Sequence, residues 1–392
     1  MKNSFLMALF LSVAWTGMGQ QLITEQAAID SAMKYSPLLK SAELQTKQSN
    51  YLRKTAFNLP NPDVIAESPT GNFYAVGVLQ SMEFPTVYIK RGQLLKQQSL
   101  LSEKGKALTT NEIKRLIRSV YLNAQYSQQL RDQLKYQDSL YNQIQLSAKR
   151  QFDAGVIDYL AKTFAASQYG EIHNQYVQVE NVFNTSLQQL KLYTGIYSNP
   201  SVSRLTKFST LEIKADTSSV MQSPLVEYAR QNQLVNKKQV SVERNRALPG
   251  LVFGYLNQGP KETETYYRFR VGFTVPLWFW QYSGNIKAAK TGLQIAEQQT
   301  QAQQQQLTAD LQNAVSEYTS AQQALTYYET NGLQQADGII NAGRRFFESG
   351  QTDYITYIRN INDAYAIKRT YLETLRTYNQ NIININYLTG DL

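Results

Sequence analysis

The stretch Arg150-Gln-Phe152-Asp-Ala-Gly155-Val156-Ile-Asp158-Tyr159-Leu160 returns 195 residues later as Arg345-Phe-Phe347-Glu-Ser-Gly350-Gln-Thr-Asp353-Tyr354-Ile355. Arg, Phe, Gly, Asp and Tyr recur in register, and Asp153 is answered by Glu348. The match extends outward in both directions. Leu190 to Gly195 corresponds to Ile385 to Gly390, Ser36-Pro37-Leu38 to Ser223-Pro224-Leu225, Leu59-Pro60 to Leu248-Pro249, and Phe84-Pro85 to Val275-Pro276. Landmarks in one order at offsets drifting from 187 to 195 mark a duplication with small insertions. So long a period does not make a solenoid; it makes two similar structural halves.

Proline sets what each half contains. None occurs between Pro85 and Pro200, or after Pro276, and both tracts are rich in Gln, Leu, Ala, Lys and Tyr. Such composition predicts very long helices. Leu307, Leu311, Ala314, Tyr318, Ala321, Leu325 and Tyr328 step by four and three, the spacing of a coiled-coil seam. Leu94, Leu101 and Leu108, then Ile113, Ile117, Val120 and Ala124, form a similar stripe in the first half. The Gln-rich run 298–306 beside the second seam reads as a solvated helix face. Gly155 and Gly350 supply left-handed residues that end a helix, so each tract should fold as a hairpin of two helices. Pro85 to Gly155 allows about 70 residues, a rod of roughly 100 Å.

Ahead of each rod lies a predicted strand hairpin. Tyr267, Phe269, Val271, Phe273 and Val275 alternate with polar or small residues, and Tyr74, Val76, Val78, Met82 and Phe84 do likewise, interrupted by Gln80. Asp63–Glu67 and Gly250–Leu256 supply weaker partner strands. Strands of this type suit a membrane barrel or a small sheet packed on helices. Four strands per chain fall short of the eight or so that close a barrel, and open edges do not sit in lipid, so a barrel here requires association of chains.

The first twenty residues and the composition indicate compartment and exclude chemistry. Lys2, the apolar stretch Phe5–Trp15 and the small Gly17 and Gly19 read as a signal peptide, too short for a spanning helix, and no later stretch is long and uncharged enough to be one. The chain has no Cys and one His, His173, beside Glu171 and Asn174 on what reads as a solvated helix face. Thiolate chemistry, a Cys/His metal site and a catalytic triad are therefore excluded, and no cofactor motif or carboxylate pair stands out. The formal charge of +9 is spread along the chain, which argues against nucleic acid as a partner. The 27 Tyr suit interfaces with one dry and one wet side.

Two repeats of helix, strand hairpin and long helical hairpin, each turning at Phe-x-x-Gly (Phe152 to Gly155, Phe347 to Gly350), resemble the TolC family of outer-membrane factors over essentially the whole mature chain. Lys54–Pro62 and Glu83–Val87 look more like the branch that works with heavy-metal transporters of the RND type. The expected organisation is a signal peptide (1–19), a first repeat (20–196) with strand hairpin 63–84 and helical hairpin 86–195, a linker (197–222), and a second repeat (223–392) with strand hairpin 250–275 and helical hairpin 277–390. The resemblance implies a mainly α-helical chain with a membrane β-barrel: a homotrimer in which twelve strands in outer-membrane lipid continue into a periplasmic tube of helices. It implies a passive, non-enzymatic exit duct that meets a periplasmic adaptor protein directly and an inner-membrane transporter indirectly. Phe152, Gly155, Val156, Asp158, Phe347, Gly350 and Asp353 match the turns that meet the adaptor. Tyr267, Phe269, Val271, Phe273 and Val275 are the expected lipid-facing strand. Where the best-known member narrows its aperture with two aspartates, this chain has Thr356 and Arg359, and where many relatives carry a lipidated Cys it has none. An unlipidated outer-membrane protein is thus expected. A duct of a type I secretion system and a soluble periplasmic coiled-coil scaffold are the competing readings.

Overall fold

A computed structural model of the chain describes residues 21–67, 75–196, 200–209, 217–257 and 268–392. The expected signal peptide, Tyr74 and Tyr267 lie outside the described residues. The first half runs β1 (Gln21–Ile23), α1 (Glu25–Tyr35), α2 (Pro37–Arg53), β2 (Asp63–Glu67), β3 (Ala75–Met82), α3 (Pro85–Asp153) and α4 (Tyr159–Thr194). The second runs β4 (Pro200–Val202), α5 (Thr217–Val220), α6 (Pro224–Arg246), β5 (Gly250–Asn257), β6 (Phe269–Thr274), α7 (Phe279–Tyr327), α8 (Leu333–Glu348) and α9 (Tyr354–Thr389). The recurrent prolines have a local cause. Pro37, Pro85 and Pro224 each open a helix, where the missing N–H has no partner to lose and the fixed φ is already helical.

α3 is one uninterrupted helix of 69 residues, roughly 100 Å long. Its counterpart is broken. α7, a π-helical turn at Tyr328–Gly332, and α8 contain 49, 5 and 16 residues, one more in total than α3. A single added residue in a helix is absorbed by such a turn without ending the helix, so this is where one insertion of the duplication went. The α7 seam is buried as its spacing requires: Leu307, Leu311, Ala314, Tyr318, Ala321 and Leu325 join Leu375, Tyr378 and Ile382 of α9 in one core. The Tyr318 and Tyr378 rings lie 5.2 Å apart with hydroxyls at 3.4 Å. Burial first, and the Tyr378 hydroxyl second, push the Tyr318 phenol up to about 12.

The segment between the halves is docked rather than loose. β4 pairs in parallel with β1, and the extended residues after it are held by side chains from the long helices. The Tyr121 hydroxyl donates to the Ile23 carbonyl at 2.7 Å and accepts from Ser203 N–H at 3.1 Å. Asn379 donates to the Thr206 carbonyl at 2.8 Å and accepts from Phe208 N–H at 2.9 Å. These partners satisfy backbone groups that no strand neighbour covers.

At the end of the molecule opposite the helical turns, the two hairpins join into one antiparallel sheet of order β2-β3-β5-β6. The register aligns Val64 with Val78, Val78 with Tyr255, Tyr255 with Phe269, Phe253 with Val271 and Leu251 with Phe273. Directly paired residues share a face, so this face is apolar across all four strands except at Gln80 and at Asn257, which pairs with Val76. Gln80 falls on it opposite Phe253, and its amide is turned away to the Pro60 and Ser81 carbonyls, both at 2.8 Å. On the other face Leu256 lies over Gly77 and Leu79 over Gly254, in reciprocal register. A Cβ at Gly254 would meet the Val78 carbonyl at 2.2 Å, and one at Gly77 the Tyr255 carbonyl at 2.5 Å. Only glycine permits that backbone approach, and glycine pairs of this kind let a sheet curve. Among the described residues β2 and β6 are left as open edges.

Candidate functional site

Both helical turns are built by one device. Gly155 sits at φ +72°, its N–H donating to the Phe152 carbonyl at 2.9 Å while Val156 N–H reaches the Gln151 carbonyl at 2.8 Å. Gly350 at φ +71° donates to Phe347 at 3.1 Å, and Gln351 to Phe346 at 2.8 Å. This bond pair satisfies the last carbonyls of α3 and α8 and requires a left-handed residue. Nothing crowds a Cβ at either glycine, so the backbone angle alone selects them.

The recurring aspartates are the other half of the device. Asp158 Oδ1 accepts from Ala161 N–H at 2.7 Å and opens α4. Asp353 opens α9, accepting from Thr356 N–H at 2.9 Å and from the Thr356 hydroxyl at 2.8 Å. The Thr356 amide, then its hydroxyl, holds the Asp353 carboxyl below its ordinary value. Both aspartates are therefore helix caps.

The phenylalanines of the turns are braced by neighbouring rings and stems. Phe347 stacks on Tyr357 with centroids 4.5 Å apart and meets the edge of Tyr354 at 4.6 Å, bracing α8 on α9. Phe152 is braced by Tyr159 at 6.0 Å and lies under the Lys162 ammonium, 4.4 Å away. The apolar groups that do face outward are Val156, Tyr159 and Leu160 at the first turn, with Val156 70% exposed, and Phe346 at the second. Sequence reasoning missed Tyr159 and Leu160 because their repeat partners behave differently: Tyr354 is buried, and its hydroxyl donates to Ser147 at 3.0 Å. The fold sets the two turns side by side, with a shared groove lined by Val156, Ile157, Ala161, Phe347, Thr352 and Ile355. Thr356 and Arg359 are both exposed on the first turns of α9, the former engaged with Asp353.

At the far end, Phe269, Val271, Phe273 and Val275 are all exposed, Val271 at 82%. Val64, Val76, Val78 and Phe253 extend the exposed apolar surface across the other strands. No described helix is long and apolar enough to cross a membrane. Among the described residues no cluster of His, Asp and Glu is arranged to hold a metal ion. His173 is half exposed and its Nδ1 lies 2.9 Å from Asp138 Oδ1.

Comparison with known proteins agrees with this geometry. Residues 218–391 match the family described as outer membrane efflux protein. The chain superposes on the outer-membrane channel CmeC of Campylobacter jejuni with a TM-score of 0.80 at 15% identity, covering 100% of this chain and 94% of that one. It superposes on the outer membrane protein VceC of Vibrio cholerae at 0.78 and 12% identity, over 93% and 96% of the two chains. CusC, solved in a study of transmembrane channel formation, gives 0.79 at 13% identity over 93% and 92%. No curated protein sequence matches the chain.

Proposed function

We infer, from a chain that carries an outer membrane efflux protein domain and shares its fold with outer-membrane channels from end to end, that it is the exit duct of a tripartite efflux system. The observation that carries this reading is the sheet, exposed and apolar on one face, glycine-curved on the other, and open at both edges. A sheet of that form is satisfied in lipid only by closure with further strands. Three copies, each joining β6 to the next copy's β2, supply twelve strands, and the rods beneath continue the barrel as a tube through the periplasm. Selection and energy belong to an inner-membrane transporter of the RND type, and the Lys54–Pro62 and Glu83–Val87 stretches favour heavy-metal cations as its cargo.

The adaptor docks at the paired turns, about 100 Å of helix from the sheet. Val156, Tyr159 and Leu160 supply the apolar contact, and Gly155, Gly350, Asp158 and Asp353 hold the turns in shape. Phe152 and Phe347 brace them, while Thr356 and Arg359 line the aperture just inside. The test is Val156→Asp in cells. Trimers should form and insert normally, while crosslinking to the adaptor and efflux are both lost. Full efflux by inserted Val156→Asp trimers would remove the docking role, and failure to insert would send the test to Leu160→Asp.

A further inference from the structure

The four-stranded sheet carries charge only on its two edges. Among the described strand residues β3 and β5 contain no charged side chain, β2 contains Asp63 and Glu67, and β6 contains Arg270. The sequence around each edge keeps the same sign. No Lys or Arg occurs between Lys54 and Lys90, and no Asp or Glu between Glu264 and Glu297. Arg268, just ahead of β6, adds a second cation and donates to the Tyr255 hydroxyl at 3.5 Å. Asp63, Glu67 and Arg270 are all exposed, and among the described residues neither carboxylate has a side-chain partner.

These three charges also share a face. Asp63, Leu79, Gly254 and Arg270 lie in one row across the four strands, and Glu67 is four residues from Asp63, so all three belong to the face opposite the apolar one. In a closed barrel that side meets water, where charge carries no lipid penalty. Set antiparallel against a second copy without stagger, β6 places its Arg270 opposite the next copy's Asp63. A stagger of four residues places it opposite Glu67, and a stagger of two sets it diagonal to both. Every in-phase register across that range therefore gives Arg270 a carboxylate. Like edges behave in the opposite way: β2 against β2 brings carboxylates together, and β6 against β6 brings arginines together. Such pairing is a two-fold contact that stops at a dimer, whereas β6 against β2 runs head to tail and can close a ring.

We propose that the two edges form a charge-matched joint between copies of this chain: Arg270 of β6 recognises Asp63 and Glu67 on the next copy's β2, and like charge on like edges blocks two-fold pairing of sheets. The inference rests on the barrel reading above and adds what selects the closing pair. The chain has no Cys, so Val64→Cys and Val271→Cys introduce its only thiols, on the apolar side of β2 and β6. Within one sheet three strand spacings separate them, roughly 14 Å, too far for a disulfide. Full-length protein carrying both, folded in mild detergent and oxidised, should crosslink between copies up to a trimer. Either single-cysteine chain should not crosslink to itself. Adding Arg270→Glu, or Asp63→Lys with Glu67→Lys, should lower the crosslinked yield at least about tenfold, because three joints change from attraction to repulsion. Adding all three changes together should restore it. If Arg270→Glu crosslinks as well as the parent, or the three-fold exchange fails to restore what the separate changes lose, charge matching is refuted while the barrel reading stands. If the parent double-cysteine chain does not crosslink, or a single-cysteine chain crosslinks to itself, β6 does not join β2 at all, and the barrel reading falls together with the joint.

Discussion

Asp353 shows how far a single residue can mislead and inform. Its recurrence with Asp158 is visible in the sequence, but the reason is not: each caps the helix that leaves a tight turn, and only the folded chain shows the carboxylate facing its own backbone. Replacing Asp353 with Ala should therefore loosen the start of α9 by about 1 kcal/mol, while Asn should retain most of the cap. Hydrogen exchange across residues 353–357 should quicken in the first variant and stay near normal in the second. The pH dependence follows from the same bonds. The folded carboxyl titrates below its ordinary value near 3.8, so the cap is complete above that value and is lost as pH falls through the lower folded one. Exchange in this stretch, corrected for the intrinsic rate, should rise on acidification below about pH 4 in the native chain and be flat in Asp353→Ala. For the same reason a lysine at either position is a poor probe of docking, because it removes a cap as well as a charge.

At the scale of elements, the rods and strands were legible because periodicity is a local signal. Of the seam that the four-and-three spacing selects, Leu307, Leu311, Ala314, Tyr318, Ala321 and Leu325 are buried, whereas Tyr328, in the π-helical turn, is only half-buried; the Gln-rich run beside the seam is mostly solvated. The π-helical turn was not legible. Thr330, Asn331 and Gly332 are weak helix formers, but they do not by themselves signal a bulge, and an added residue shows as one only when the two rods are laid side by side. The sheet was half legible: alternation identifies faces strand by strand, but the register that merges four short stripes into one surface is a tertiary fact. Its consequence can be tested. Arginine at Val271, on the apolar face, should cost about 2–4 kcal/mol of membrane insertion near the midplane, whereas arginine at Thr274, on the opposite face, should be far milder. Membrane fractionation and folding yield in vesicles measure both, and equal losses would mean that the sheet has no lipid face.

For the whole molecule the deciding quantity is the pair of open edges, since four strands with β2 and β6 unpaired cannot stand in a bilayer as one chain. Purified in mild detergent the protein should therefore sediment as a trimer with its strand content intact; a stable monomer of native strand content would remove the barrel. The division of labour between sequence and structure follows range. Duplication, rods near 100 Å, amphipathic strands and the glycine turns were determined by the sequence itself, because each rests on spacing or backbone preference within a few turns of chain. Which side chains face outward at those turns was decided by tertiary packing. Phe347 turns inward because Tyr354 and Tyr357 of α9 offer it a stacking surface, whereas at the first turn Tyr159 remains outside, so identical letters in the repeat meet different neighbours. The same holds for Trp278 and Trp280: the sequence shows their presence, and only the fold shows that both stay exposed among the described residues.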